Sequence, residues 1–140
     1  MPITSKIYPS KQLVTIIARG KIASSEIVET IESFYKKQPG NNVLWDFRYA
    51  DLNALIFSNE LENIAAGFFK TNGHMQKIGK TAIVASTDLW FSVAKMYAKF
   101  AEIKNLLHIV QIFRFKNDAT KWLDSKNELP RSRAAKNSFD

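Results

Sequence analysis

Apolar and polar residues alternate along this chain with two distinct periods. Residues 3–8 and 13–20 are rich in β-branched and apolar side chains, and the tripeptide at 9–11 between them supplies a turn. We therefore expect an N-terminal β-hairpin. Three further short apolar runs have the length and composition of strands, at 43–47, 81–85 and 107–115.

Between these runs, apolar residues recur every three or four positions, which is the period of an amphipathic helix. Four segments show it, at 24–37, 58–72, 88–102 and 117–123. Ser58 stands where an N-cap is expected. In the third helix the spacing directs Leu89 and Val93 to the core, which turns Trp90 or Phe91 partly outward.

The resulting order is ββαβαβαβα. Short apolar strands that alternate with helices predict right-handed crossovers and a largely parallel sheet, antiparallel only at the hairpin. The fold class is therefore α/β, a four- or five-stranded mixed β-sheet covered by about four helices. We expect one domain over residues 1–126 and a flexible C-terminal tail over 127–140, where the periodicity is lost.

The composition and the motifs of the chain exclude several kinds of catalytic and metal-binding site. The 140 residues include no cysteine, which excludes a disulfide framework, a thiolate zinc site and a cysteine nucleophile. His74 and His108 lack the neighbours that a metal site or a catalytic base needs. No phosphate loop, dinucleotide fingerprint or nucleophile elbow occurs. The sequence thus predicts a protein that is not an enzyme and uses no cofactor.

The net positive charge of the chain suggests an anionic partner but does not show where such a partner would bind. Twenty basic against thirteen acidic residues give a net charge of +7. The lysines are spread over every element, and no nucleic-acid-binding signature is present, which argues against nucleic acid as the partner. No stretch has the length of a transmembrane helix or the pattern of a secretory signal, so we expect a cytoplasmic location.

Several stretches resemble the STAS domain, the sulfate-transporter and anti-sigma-factor-antagonist family, and in particular its small stand-alone SpoIIAA-like bacterial members. They are ARGKI at 18–22, LWDFRYADL at 44–52, KTAIVASTDLWFSVAKMYAKFAE at 80–102 and VQIFRFKNDATKWL at 110–123. The resemblance covers about residues 3–125. It implies the family's α/β fold and a regulatory role through binding to another protein.

One feature of that family is missing here. In its phosphoregulated members, an Asp-Ser pair opens the helix after the third strand, and phosphorylation there controls binding to a partner kinase. Alignment on Asp46 places Ala54 and Leu55 at that pair. Ser58 lies near the expected helix start, but it lacks the preceding Asp and the following Gly, so its capping role explains it better.

Candidate binding residues cluster where the third strand ends. Asp46, Arg48 and Asp51 lie at the carboxyl end of a strand, where open α/β sheets usually bind ligands. Arg48 would grip a carboxylate or phosphate with Asp46 orienting it. The alternative is a structural ion pair between Asp46 and Arg48 that organises the following loop.

The connection Tyr49–Phe57 is unusually apolar for a loop. It either tucks under the next helix or presents Leu55, Ile56 and Phe57 as a ligand mouth, a membrane-contacting lip or a dimer contact. Trp90 and Phe91 open the helix that follows the next strand, where backbone N–H groups also favour an anion.

These observations favour a non-enzymatic regulatory or scaffolding protein that binds another protein, with a homodimer as one form of that binding. The alternative is a carrier of a small apolar molecule or lipid, closed by the 49–57 loop. An enzyme that uses Asp46 and Arg48 ranks third.

Overall fold

The computed structural model describes residues 3–37, 42–56, 58–72, 79–103 and 109–125. Its strands are β1 (Ile3–Tyr8), β2 (Leu13–Lys21), β3 (Asn42–Asp51), β4 (Lys80–Val84) and β5 (Ile109–Phe113). Its helices are α1 (Ser24–Lys37), α2 (Ser58–Asn72), α3 (Asp88–Ile103) and α4 (Lys116–Asp124), and short 3-10 turns span Pro9–Lys11 and Asn53–Leu55. The predicted α/β class and element order are confirmed, with five strands.

The five strands form one sheet in the order β1-β2-β3-β4-β5. β1 pairs antiparallel with β2, and every other pair is parallel. Because each parallel crossover is right-handed and steps in the same direction across the sheet, the connecting helices α1, α2 and α3 all lie on one face. The last helix, α4, packs on the opposite face, against β3, β4 and β5.

Alternation along β3 divides its side chains between the two faces. Val43, Trp45 and Phe47 point into the main core under α1, α2 and α3, whereas Leu44 belongs to a smaller core under α4. The strand is buried on both sides, which explains its nearly continuous apolar sequence. Its one buried carboxylate, Asp46, lies on the α4 side.

The end of α4 is fixed to the amino ends of the strands. The Asn42 side chain donates to the Leu123 carbonyl at 3.2 Å and accepts the Lys80 N–H at 2.9 Å. Lys80 Nζ donates to the carbonyls of Trp122 and Ser125, at 2.7 and 3.0 Å. A cation therefore meets carbonyl oxygens at the negative end of the helix dipole.

The largest departure from the predicted elements is at β3. The strand continues to Asp51 rather than ending at Phe47. The first three residues of the predicted loop 49–57 are therefore strand, and Asn53–Leu55 form a 3-10 turn. The predicted tail at 127–140 and the two histidines, His74 and His108, lie outside the described residues. Among the described residues, no helix has the length and apolar character needed to cross a bilayer.

Helices α1 and α2 approach closely at Gly67. A β-carbon added there would stand 2.9 Å from Val28 Cγ1, which is closer than non-bonded carbon atoms approach in proteins. Val28 is β-branched and cannot easily turn away. The contact between the two helices therefore depends on the missing side chain at this position.

We expect Gly67→Ala to lower the free energy of unfolding by about 1 kcal/mol. Overpacking costs about 1–3 kcal/mol, and the better helix propensity of alanine offsets about 1 kcal/mol of it. In a Val28→Ala background the same substitution should be stabilising, because the clash is gone. Urea unfolding of the four variants measures both effects, and an equal loss in both backgrounds would contradict this view of the contact.

Candidate functional site

Asp46 and Arg48 form an ion pair. The sequence suggested two roles for these residues, binding of an anionic ligand or stabilisation of the following loop. The Asp46 side chain has 0% exposure. Its carboxylate accepts three hydrogen bonds, all from Arg48: from the backbone N–H at 3.1 Å, from Nε at 2.9 Å and from Nη2 at 2.8 Å. Such a two-pronged contact is among the strongest that a buried carboxylate can make.

A β-bulge explains why the backbone of Arg48 takes part. The register between β2 and β3 shifts after Ile17 and Asp46, so that Arg19 next pairs with Tyr49. One extra residue of β3 falls in this interval, and a bulge disrupts the ladder locally. The Asp46 carboxylate accepts the N–H of Arg48 in place of a ladder partner.

The pair also sets the ionisation of Asp46. Burial raises the pKa of this carboxyl group, but the side-chain and backbone hydrogen bonds from Arg48, together with the positive charges of Arg48 and Lys116, lower it more. The net result is a pKa below the ordinary value of 3.8. Asp46 is therefore held as a carboxylate.

Asp51 does not join this pair. Its Oδ1 accepts the N–H of Asn53 at 3.0 Å and so opens the 3-10 turn after β3. The sequence thus grouped three residues that the structure divides: Asp46 and Arg48 are bonded to each other, and Asp51 serves the next turn. The ion pair between Asp46 and Arg48 is present, and a binding role for Arg48 stays a prediction.

An apolar cavity lies between the sheet and the layer of α1, α2 and α3. Its volume is about 60 Å³, and none of the thirteen described residues that line it is charged. Trp45 and Phe47 of β3 form part of its floor, with ring centroids 5.7 Å apart. Thr81 and Tyr97 bring the hydroxyl groups of the lining.

The predicted apolar connection closes one side of this cavity. Leu52 and Leu55 are buried and line it, whereas Ile56 is 39% exposed. Leu52 and Leu55 therefore tuck inward, as the first alternative expects. The role of Leu55, Ile56 and Phe57 as a ligand mouth or contact surface stays a prediction. Phe57 and the side chain of Ser58 lie outside the described residues, although α2 begins at Ser58 as expected.

The start of α3 corrects one expectation. Leu89 was predicted to face the core but is 50% exposed, and Trp90 is the half-buried residue that packs against the main core. The helix begins at Asp88, as predicted, and the Thr87 hydroxyl accepts the Trp90 N–H at 3.2 Å. The inward stripe runs through Trp90, Val93 and Tyr97, and Leu89 lies beside it. Phe91 is half-buried, with Arg114 at 4.4 Å from its ring centroid.

A search of the solved structures gives a similar chain over most of this length. It is an uncharacterised protein from the DUF3478 family of Shewanella loihica PV-4, described as having a SpoIIAA-like fold. The TM-score is 0.54 at 16% sequence identity, and the match covers 86% of this chain and 91% of that one. The chain has the SpoIIAA-like fold.

No family model matches the sequence. No curated protein matches it either. At 16% sequence identity, the structural similarity shows the fold alone. It confirms the expected SpoIIAA-like architecture, and the chemistry must be argued from the residues of this chain.

Within the SpoIIAA-like fold, the positions that the resemblance assigns to a phosphorylatable pair are Ala54 and Leu55. Both lie in the 3-10 turn after β3, and Leu55 is buried against the cavity. A hydrophobic wall of the cavity therefore stands at the place where the resemblance puts the serine of the phosphoregulated STAS proteins.

Sequence reasoning missed most of the cavity. Trp45, Ala94 and Tyr97 line it, and nothing in the sequence marks them, because an apolar residue has the same periodicity whether it packs tightly or borders a cavity. Among the described residues, no group of three or more His, Cys, Asp or Glu side chains is arranged to hold a metal ion.

We expect Asp46→Asn to destabilise the fold by about 1–3 kcal/mol at neutral pH, the usual range for a lost hydrogen bond to a charged group. The folded-state pKa of Asp46 is below its unfolded value, so its stabilising effect is complete above about pH 4 and is lost as the pH falls through the folded pKa.

The difference in unfolding free energy between the parent chain and Asp46→Asn should therefore shrink on acidification below about pH 4. Urea titrations at neutral and acidic pH measure it. A difference that stays constant over this range would show that the charge of Asp46 does not carry the effect.

Proposed function

We propose that this chain is a non-enzymatic binding protein whose cavity accepts a small apolar molecule or the apolar end of a larger one. The observation that carries this proposal is the cavity between sheet and helices, in which no described lining residue is charged. Ligand pockets are typically lined by apolar and aromatic side chains with a few polar groups, and Thr81 and Tyr97 supply such groups here.

The size of the cavity limits the ligand. At about 60 Å³ it is smaller than an engineered cavity of about 150 Å³ that holds benzene. A segment of a few carbon atoms fits without rearrangement, and each buried methylene contributes about 0.8 kcal/mol. Longer ligands would have to displace side chains such as Leu52 and Leu55, which border the cavity next to the exposed Ile56.

The same geometry supports a non-enzymatic role. General acid–base catalysis needs a titratable group within hydrogen-bond reach of the bound molecule. Among the described lining residues the Tyr97 phenol is the one such group, and no carboxylate, histidine or lysine lines the cavity with it. The nearest candidates from the sequence, Asp46 and Arg48, are bonded to each other on the opposite side of β3 from Phe47, which lines the cavity. The alternation of the strand separates this ion pair from the apolar ligand.

A series of n-alkanols of increasing length tests the proposal. We expect affinity to rise about fourfold per methylene and then to level off once the cavity is filled. Ala94→Leu, which places a larger side chain in the lining, should abolish binding and add up to about 1.4 kcal/mol of stability, from about 24 cal/mol per Å³ of the 60 Å³ cavity filled. Ala98→Leu on the same helix is the matched control, because Ala98 is not among the lining residues.

Isothermal titration and protein NMR follow the binding. Amide shifts confined to the residues around Ala94 and Leu55 support the cavity as the site. Binding that survives in Ala94→Leu, or that is lost equally in Ala98→Leu, would overturn it. Ala94→Val offers the same comparison with a smaller side chain if leucine overpacks the site.

Binding to another protein, the function favoured by the sequence, is the second candidate. Four of the large apolar side chains that are exposed lie at or just beyond the carboxyl ends of the strands: Tyr49, Ile56, Leu89 and Phe115. Exposed apolar residues gathered on one edge of a fold are typical of interaction surfaces. A second copy of this chain is one partner that such an edge could take.

Sedimentation equilibrium with the parent chain and Leu89→Ser tests this second candidate. A dimer that Leu89→Ser converts to a monomer would support it. Met96→Ser is the matched control, because Met96 is also exposed on α3 but lies two turns away along the helix. A monomeric parent chain, or the same oligomeric state in Leu89→Ser and Met96→Ser, would contradict a homodimer formed through this edge.

A further inference from the structure

The N-terminal hairpin presents a face of uniform charge. From Ile3 to Ser25 the chain contains four basic residues and no acidic one. Lys6 pairs across the strands with Thr15, and Arg19 lies four residues further along β2, so both point to the α4 side of the sheet. The helix on that side packs against β3, β4 and β5, and the side chains of Lys6 and Arg19 are exposed.

Two arginines meet at the carboxyl end of this face. The guanidinium carbons of Arg19 and Arg48 lie 5.1 and 5.0 Å from the ring centroid of Tyr49, within the range of a cation–aromatic contact. Tyr49 is nevertheless 52% exposed, and the Arg48 side chain is 31% exposed. Lys116, the first residue of α4, is close enough to Asp46 for its charge to act on that carboxylate.

The arrangement is pre-organised. Arg48 is held by three hydrogen bonds to a fully buried carboxylate, so its position is determined before any partner arrives. Two of its nitrogens face Asp46, which leaves Nη1 for another acceptor. The Arg19 guanidinium contacts the Tyr49 ring, and among the described residues no carboxylate forms a salt bridge with it. Fixed cations lose little entropy on binding.

The spacing favours a chain of negative charges over a single small anion. Lys6 and Arg19 are about 13 Å apart along the strand direction, at about 3.3 Å per residue. The aromatic rings favour an acidic protein segment over single-stranded nucleic acid, because base stacking needs a free ring face. The Tyr8 ring already has Lys6 at 5.3 Å, and Tyr49 has both arginines.

We propose that Arg19, Arg48 and Tyr49, extended by Lys6, form a docking site for an acidic, extended segment of a partner protein. Tyrosine and arginine are the residue types that most often dominate protein interfaces. The inference rests on the second candidate function, protein binding, and names the chemistry of the partner. The site lies across β3 from the apolar cavity, so a segment bound there does not compete with a cavity ligand.

A fluorescein-labelled poly-glutamate peptide is the probe, followed by fluorescence anisotropy and by NMR of the labelled protein. We expect binding that weakens as salt is added, with shifts at the amides of Arg19, Gly20 and Tyr49. Arg19→Gln should weaken it about tenfold, the effect of one lost charge-assisted contact. Tyr49→Leu should weaken it as well, and neither exposed residue is needed for the core.

Arg114→Gln is the matched control. It removes the same charge from a cation that also contacts an aromatic ring, Phe91, but that pairs with Asp88 at another strand end. An equal loss in Arg19→Gln and Arg114→Gln would show attraction to net charge alone and would overturn the site. Tighter binding of oligo-thymidylate or of phosphatidylglycerol vesicles than of the peptide would also overturn it.

Failure of this site is distinguishable from failure of protein binding in general. If the peptide binds without dependence on Arg19 while Leu89→Ser still breaks self-association, the acidic site is wrong and the second candidate function stands. If self-association is absent and the peptide binds through Arg19, the docking site stands without a homodimer.

Discussion

The order of the strands is the constraint on which the rest of this structure depends. The sheet follows the chain from β1 to β5 without a reversal, and right-handed crossovers then bring α1, α2 and α3 to the same face. That face gains a thick helical layer with a cavity beneath it. The other face has α4 over β3 to β5, and the hairpin strands β1 and β2 keep exposed cations there.

Strand β3 joins the two faces. It is buried on both sides, so a charged residue within it requires a partner from the same strand or from a neighbour. Arg48 supplies that partner to Asp46, and the bulge lets its backbone contribute too. Because of the same bulge, Tyr49 pairs with Arg19 and lies on the α4 side, whereas Phe47, two residues earlier, lies on the cavity side. The bulge in β3 thus directs Phe47 to the apolar cavity and Tyr49 to the face that carries Arg19 and Arg48.

Much of the fold was predictable, because the spacing of apolar residues differs between helices and strands. The helix predicted over 24–37 is α1, and its Ile27 and Ile31 are buried as their spacing indicates. The continuation of β3 through Tyr49 was not predictable, since its apolar and polar residues there fit a loop as well as a strand. Neither was the strand order, which periodicity does not encode. The strand order does not reverse at β3, and the Asp46 carboxylate is bonded to Arg48. The binding role that the sequence suggests for this end of β3 stays a prediction.

The central claim is that the space under the three helices is a dry, apolar binding cavity. Diffraction from crystals of this chain pressurised with xenon tests it most directly, because xenon enters apolar cavities and scatters strongly. We expect one xenon atom between Leu55 and Ala94, above the rings of Trp45 and Phe47. A cavity closed by these side chains, or occupied by ordered water in place of xenon, would contradict the account.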